Sequence, residues 1–293
     1  MSSTKGEALF ARVAILIPLL TGFVFATSPT GGGALDLYKR ADYAGAIALL
    51  TRESPDAQNL ELLGQCYYQQ GELRLAVETL ERAAALAPAD STIQLWLGRA
   101  WGGRAETAFA LHAFGYAQKA REAFESAVRL DPANAQALGD LFDFYVEAPP
   151  VVGGGIEKAQ SLIPRMEKCD PIGARVARSR IHEERQQFDK AEAELREAIR
   201  LGPAQVNVKL DLARFLSRRR RYDDSEKAFE RAAGQAPDSP RILFVRATAY
   251  INAGRNEDQA RDLLRQYIAA KNLTPADPPV WEARRLLRKA KGI

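Results

Sequence analysis

The chain has 293 residues, of which 46% are hydrophobic, a share that is typical of a folded protein rather than a disordered one. Its 41 basic and 37 acidic residues give a net charge of +4, a smaller imbalance than a nucleic-acid-binding protein usually carries. Two cysteines, Cys66 and Cys169, are too few for a disulfide framework.

The N-terminus has the features of an export signal. Lys5 and Arg12 precede an uncharged apolar run, residues 13–26, and Val24-Phe25-Ala26 has the small-x-small form of a signal peptidase site. Residues 27–33 then form a Gly/Pro linker. We therefore expect export to the bacterial periplasm or cell envelope.

Whether the apolar run is cleaved stays open. It is shorter than the roughly 20 residues that a spanning helix needs, and Pro18 inside it favours a cleaved signal. No charged residue follows until Asp36, however. The alternative is therefore attachment to the inner membrane through residues 13–26.

The next stretches predict helices, first an incomplete unit at residues 34–56 and then a complete pair at residues 57–90. The second stretch shows two apolar stripes at helical spacing, separated by a glycine turn and ended by a proline. Its markers, in chain order, are Leu60, Leu63, Gly64, Tyr67, Gly71, Leu73, Ala76, Leu80, Ala83 and Pro88. This order resembles the tetratricopeptide repeat, which recurs about every 34 residues.

The same pattern recurs to the end of the chain. A small residue in the middle of each second helix and a proline after it mark the register. The small residues are Ala76, Ala120, Ala159, Ala191, Ser225 and Ala260, and the prolines are Pro88, Pro132, Pro171, Pro203 and Pro237. They predict further repeats at residues 91–134, 135–173, 174–205, 206–239 and 240–271, with a final helix at residues 278–293.

The resemblance implies an all-α fold, a right-handed α-solenoid of antiparallel helix pairs. The last helix would close it, with Trp281, Leu286 and Leu287 facing inwards. A small residue is needed where the two helices of a pair cross, because a bulky side chain would force them apart at about 1–3 kcal/mol.

Two repeats are lengthened, by residues 102–119 and by residues 148–155. Both additions fall between the helices of a pair, so we expect them side by side on one edge of the solenoid. The first contains Phe109 and Phe114 and has the composition to extend a helix. Insertions in solenoids often carry the binding function; the alternative is that these aromatic side chains pack onto the neighbouring repeat.

The resemblance also implies a groove, lined by the first helix of each repeat, that holds an extended peptide or a partner helix. The candidate partner-binding residues on these helices are Tyr68, Trp96, Arg99, Asp140, Asp143, Arg180, Arg214, Arg218 and Arg241, with Phe109 and Phe114 at the edge. Arg214, Arg218 and Arg241 suit an acidic ligand. The alternative for each is an ordinary solvated polar residue.

No arrangement of residues predicts catalysis, a metal or a cofactor. The chain has only His112 and His182, and it has no H-x-x-x-H or C-x-x-C pair. Gly153-Gly154-Gly155 followed by Lys158 lacks the ending of a phosphate-binding loop, so it predicts a turn.

The sequence therefore predicts a non-enzymatic scaffold of the cell envelope that binds a protein or peptide, and not nucleic acid. One alternative is an assembly subunit anchored in the inner membrane. A less favoured one is an enzyme or ligand-binding protein that uses the inserted segment.

Overall fold

The computed structural model describes residues 32–289, and within them the chain forms α-helices and no strands. The helices are α1 Gly32–Lys39, α2 Tyr43–Leu50, α3 Ala57–Gln70, α4 Leu73–Leu86, α5 Ser91–Thr107, α6 Ala110–Leu130, α7 Ala135–Glu147, α8 Ile156–Cys169, α9 Pro171–Glu184, α10 Phe188–Leu201, α11 Val206–Arg218, α12 Tyr222–Gln235, α13 Pro240–Ala253, α14 Glu257–Ala269 and α15 Val280–Lys289. A short 3-10 helix, Pro150–Val152, precedes α8. The predicted export signal, residues 1–26, lies outside this range.

The helices belong to two compact units, one up to Ala177 and one from Arg178, so the division falls inside α9. In the first unit α3 packs on α4, α5 on α6 and α7 on α8. In the second, α11 packs on α12, α13 on α14, and α15 on α14. No helix between residues 32 and 289 combines the length and hydropathy needed to cross a membrane.

Short polar side chains determine where several helices begin. Asp56 accepts a hydrogen bond from the Asn59 N–H at 2.8 Å, and Asn134 accepts one from the Ala137 N–H at 3.0 Å. Each bond satisfies a backbone donor that the first turn of a helix leaves unpaired. Gly71 ends α3 with φ 83°, in the left-handed conformation that glycine adopts without strain.

The small residues that mark the predicted register lie in the core. The six marker residues Ala76, Ala120, Ala159, Ala191, Ser225 and Ala260 are all buried. A Cβ atom on Gly64 would lie 2.5 Å from Leu80 Cγ, so only glycine allows α3 this close to α4. Burial of the marker residues is what the predicted register requires.

The last helix, α15, closes the end of the second unit, as expected. Leu286 and Leu287 of α15 pack against a core that contains Tyr267 and Ala283. In the first unit, Pro171 follows α8 and is also the first residue of α9, so Asp170 alone separates the two helices. Proline is well suited to this position because the first turn of a helix needs no N–H from it.

Candidate functional site

The first insertion lengthens both helices of a pair instead of forming a loop. α6 has 21 residues, against 14 in α4, and Ala108 and Phe109 are all that separates it from α5. At 1.5 Å per residue, this difference extends the pair by about 10 Å. The result is a projecting helical hairpin, whose turn and adjoining residues 107–114 we call the hairpin tip.

The hairpin tip exposes large apolar side chains. Phe109 and Leu111 are each 87% exposed, and Phe114 is 36% exposed. The alternative that Phe109 packs onto a neighbouring repeat is therefore wrong, because its ring lies almost entirely open to solvent.

The second insertion lies next to the hairpin, as expected. The 3-10 helix Pro150–Val152 packs on α6, with Val152 buried and Val151 67% exposed. The turn that follows requires glycine, because a Cβ atom on Gly154 would lie 1.8 Å from the Ala148 carbonyl oxygen. Two lengthened segments thus form one edge of the first unit, with Val151 as a further exposed apolar residue.

Cationic and aromatic side chains alternate behind the hairpin tip, in a row that we call the basic–aromatic row. Lys119 Nζ lies 4.1 Å from the Trp101 ring centre, and the Arg104 guanidinium lies 5.2 Å from the same ring and 4.2 Å from Tyr116. Arg104 also donates a hydrogen bond to the Tyr116 hydroxyl at 2.7 Å, and His112 stacks on Tyr116. Contacts of this kind fix long cationic side chains in place.

The first-helix residues of the first unit differ from the prediction, because four of them are buried. Arg99 is 2% exposed and Asp140 is 1% exposed, and Arg99 Nε donates to Asp140 Oδ2 at 2.6 Å. The Arg99 guanidinium lies 4.6 Å from the Trp96 ring centre, and Trp96 in turn contacts Tyr68 edge-on. These side chains therefore join α3, α5 and α7 to one another and do not stand open to a partner.

The buried ion pair is only partly satisfied by protein groups. Burial raises the pKa of Asp140, and the nearby Arg99 charge opposes this shift. For Arg99, burial lowers the pKa, but attraction to Asp140 more than offsets it, so the pKa is raised and the guanidinium stays charged. Arg99 Nη2 and Asp140 Oδ1 have no protein hydrogen-bond partner. Removing either charge would leave the other unpaired in the core.

Glu61 on α3 is a half-buried carboxyl group near Asp90. Burial and the Asp90 charge raise the pKa of Glu61 to about 7, although a hydrogen bond from Gln65 at 2.8 Å lowers it somewhat. Between about pH 4.5 and 7, Glu61 therefore keeps its proton in the folded chain but has lost it in the unfolded chain.

We expect Glu61 to make the folded state less stable as the pH rises. Its stabilising contribution is complete below about pH 4.5 and is lost as the pH passes through about 7, because the native state binds more protons in this window. Between pH 5 and 7.5, the free energy of unfolding of the Glu61→Gln variant should therefore fall by about 1–3 kcal/mol less than that of the unmodified chain. Urea unfolding of both proteins at the two pH values measures this difference. Glu81→Gln, at an exposed position of α4, is the control; an equal change there would contradict the assignment to Glu61.

In the second unit, three arginines lie close together on α9 and α11: Arg180, Arg214 and Arg218, which we call the arginine cluster. Arg218 forms a two-point ion pair with Glu183, at 2.8 and 2.6 Å, and Arg214 pairs with Asp211. Burial lowers the pKa of Arg214, and the charges of Arg218 and Arg180 lower it further against the attraction of Asp211. Three positive charges therefore lie close enough together on α9 and α11 to repel one another.

Arg241 was expected to belong to the same group, but its ion pair lies elsewhere. It contacts Asp277, at 3.4 Å, in the segment before α15. Asp277 also accepts hydrogen bonds from the Thr274 N–H and hydroxyl groups, which fixes that connection. Arg241 thus holds the chain before α15 in place. The arginine that lies near Arg214 and Arg218 is Arg180 and not Arg241.

The other positions named from the sequence are half-buried, and none of them forms a metal site within the described residues. Asp143 and Arg180 are half-buried. His182 is half-buried at the end of α9 and contacts the Gln187 side chain at 2.8 Å. Across residues 32–289, no three His, Cys, Asp or Glu side chains lie close enough together to hold a metal ion. The expected lack of a metal, a cofactor and enzymatic activity stays a prediction.

Sequence reasoning missed two participants in these sites. Asp211 pairs with Arg214 of the arginine cluster, and the spacing of the two residues within one helix was the available signal. Lys119 contacts Trp101 across the hairpin. No local pattern predicts that contact, because it depends on how far the two helices extend together.

Family models for the tetratricopeptide repeat match three stretches of the chain. One matches residues 183–243, and another matches residues 32–91 and residues 62–112. No curated protein matches the chain.

Solved structures similar to this chain include repeat proteins of the same kind. A tetratricopeptide repeat protein from Parabacteroides merdae is 13% identical with a TM-score of 0.58, and the match covers 88% of this chain and 96% of that one. The structure of the APC/C hetero-tetramer Cut9–Hcn1 is 14% identical with a TM-score of 0.52, covering 88% of this chain and 48% of that one. These likenesses show an all-α repeat fold and leave the function to be argued from the chain itself.

Proposed function

Because the chain is a tetratricopeptide repeat protein, we propose that it is a non-enzymatic scaffold whose arginine cluster binds an acidic segment of a partner protein. Tetratricopeptide repeats are generally protein-interaction modules without enzymatic activity. The proposed site lies on α9 and α11, the first helices of two consecutive repeats, which in this family line the binding groove.

The crowding of positive charge in the arginine cluster carries the proposal. Arg214 pairs with Asp211 and Arg218 with Glu183, and the charges of Arg218 and Arg180 both lower the pKa of the buried Arg214. Arg214 Nε is buried without a protein hydrogen-bond partner. A carboxylate from a partner would relieve the repulsion and supply acceptors for two-point contacts, which arginine makes better than lysine does.

Site-specific crosslinking tests this site. A photoreactive amino acid at Glu184, exposed at the end of α9, should capture a protein in cells, to be identified by mass spectrometry. Arg218→Glu should reduce its yield about tenfold, the effect of losing one charge-assisted contact of about 1.4 kcal/mol.

The matched control is Arg200→Glu. Arg200 is an exposed arginine on the second helix α10 and pairs with Glu197 on its own helix, so it carries a similar charge away from the first helices. An equal loss of yield in this variant, or no captured protein at Glu184, would count against the proposal.

We also propose that the scaffold works in the cell envelope. Lys5, Arg12, the apolar run 13–26 and the small-x-small sequence at Val24–Ala26 support export. Membrane attachment through an uncleaved run is the alternative. Cell fractionation with N-terminal sequencing separates the two, since a mature chain that begins near Thr27 has lost the run, and an intact chain in the cytosolic fraction would contradict export.

A further inference from the structure

Beyond partner binding, we propose that the hairpin tip, residues 107–114, is a contact site for an anionic lipid bilayer. Apart from Thr107 and His112, the residues of the tip are apolar. No charged residue occurs between Glu106 and Lys119, and Phe109 and Leu111 lie almost fully in solvent at the turn between α5 and α6. Side chains in such a position can enter the boundary between headgroups and acyl chains without rearrangement of the hairpin.

The residues behind the tip match the depth of lipid headgroups. Tyr116 and Lys119 lie about 9 and 14 Å along α6 from Ala110. Interfacial segments bury their apolar side chains about 5–10 Å deep, so an inserted tip would place Tyr116 at the headgroup level. Tyrosine and tryptophan side chains favour this level because their rings are apolar and their edges polar.

The charges on the hairpin are complementary to an anionic surface. Arg104 and Lys119 are held against the Trp101 and Tyr116 rings, while Glu106 is the one acidic residue from 101 to 119 and is half-buried. α6 also begins at the tip without a side-chain cap from Phe109. The positive end of this helix therefore faces the same direction as the apolar side chains and favours lipid phosphates.

The size and shape of the tip favour a bilayer over a protein partner. Phe109 and Leu111 together expose on the order of 300 Å². A stable protein interface buries about 800 Å² on each partner. A projecting tip with two large apolar side chains is too small for that, whereas a bilayer needs only a few apolar side chains together with basic ones.

Fluorescence at the tip tests the proposal on the full chain. The environment-sensitive dye NBD is attached at Leu111→Cys in a Cys169→Ser background. Cys66 stays unlabelled, because it is buried and burial raises the pKa of its thiol to about 12. Vesicles containing phosphatidylglycerol should shift the emission to shorter wavelength, and lipids with a quencher near the top of the acyl chain should quench it.

Matched variants separate the tip from the rest of the chain. Dye at Ala193→Cys, an exposed position of α10, should not respond. With Phe109→Ser, the lipid concentration that gives half of the emission shift should rise at least tenfold. With Lys119→Glu, the shift on phosphatidylglycerol vesicles should be weaker and should lose most of its dependence on salt concentration. Both residues are exposed, so circular dichroism should show unchanged folding.

Three results would overturn the proposal. One is an unchanged dye emission although the chain co-floats with the vesicles, because another segment, such as residues 13–26, would then bind the lipid. Another is an emission shift that depends on protein concentration without lipid, because the tip would then contact a second copy. The third is an equal shift with Phe109→Ser.

Discussion

Asp140→Ala is expected to lower the free energy of unfolding of the first compact unit by about 3–5 kcal/mol. The substitution leaves the Arg99 guanidinium, which is 2% exposed, without the carboxylate that it contacts at 2.6 Å. A buried charge without a partner is much less stable than a buried pair, because neither water nor protein then solvates it. Urea unfolding followed by tryptophan fluorescence measures the loss.

The double variant Arg99→Met, Asp140→Leu is the control for this explanation. It replaces both charges with apolar side chains of similar volume, and such replacements of buried pairs are often neutral or stabilising. We expect it to recover most of the stability lost in Asp140→Ala. If the double variant is as unstable as the single one, the loss comes from packing rather than from an unpaired charge.

The repeat register could be predicted because it depends on local sequence. Small residues recur along the second helices and are buried, and on α3 the close approach of α4 requires glycine at position 64. The helical hairpin was predicted only in outline. The composition of residues 102–119 favours helix, but whether they extend α5, α6 or both depends on how these helices pack along their length.

The depth of the first-helix residues could not be predicted from periodicity. Helical spacing indicates the direction in which Trp96 and Arg99 point, but the exposure of that face depends on the neighbouring repeats. Here Tyr68 from α3 and Asp140 from α7 cover it. The pairing of Arg99 with Asp140 joins residues far apart in sequence, so no local pattern reveals it. Arg218, by contrast, is exposed.

Ala191→Trp is expected to destabilise the second compact unit by about 3 kcal/mol or more. Ala191 is completely buried on α10, which packs on α11. An indole there has no space and must push the helices apart, and insertion of even a few methylene groups into a packed core costs about 1–3 kcal/mol. Thermal unfolding followed by circular dichroism measures the change.

Ala193→Trp is the matched control because it makes the same chemical change two residues away on the same helix. Ala193 is exposed, so the indole can extend into solvent, and only the lower helix propensity of tryptophan remains, about 0.5 kcal/mol. That propensity loss is common to both variants and cancels when they are compared. The remaining difference measures how closely the helices approach at Ala191. Equal effects would show that Ala191 is not at the crossing point, and the register of the repeat at residues 174–205 would then be wrong.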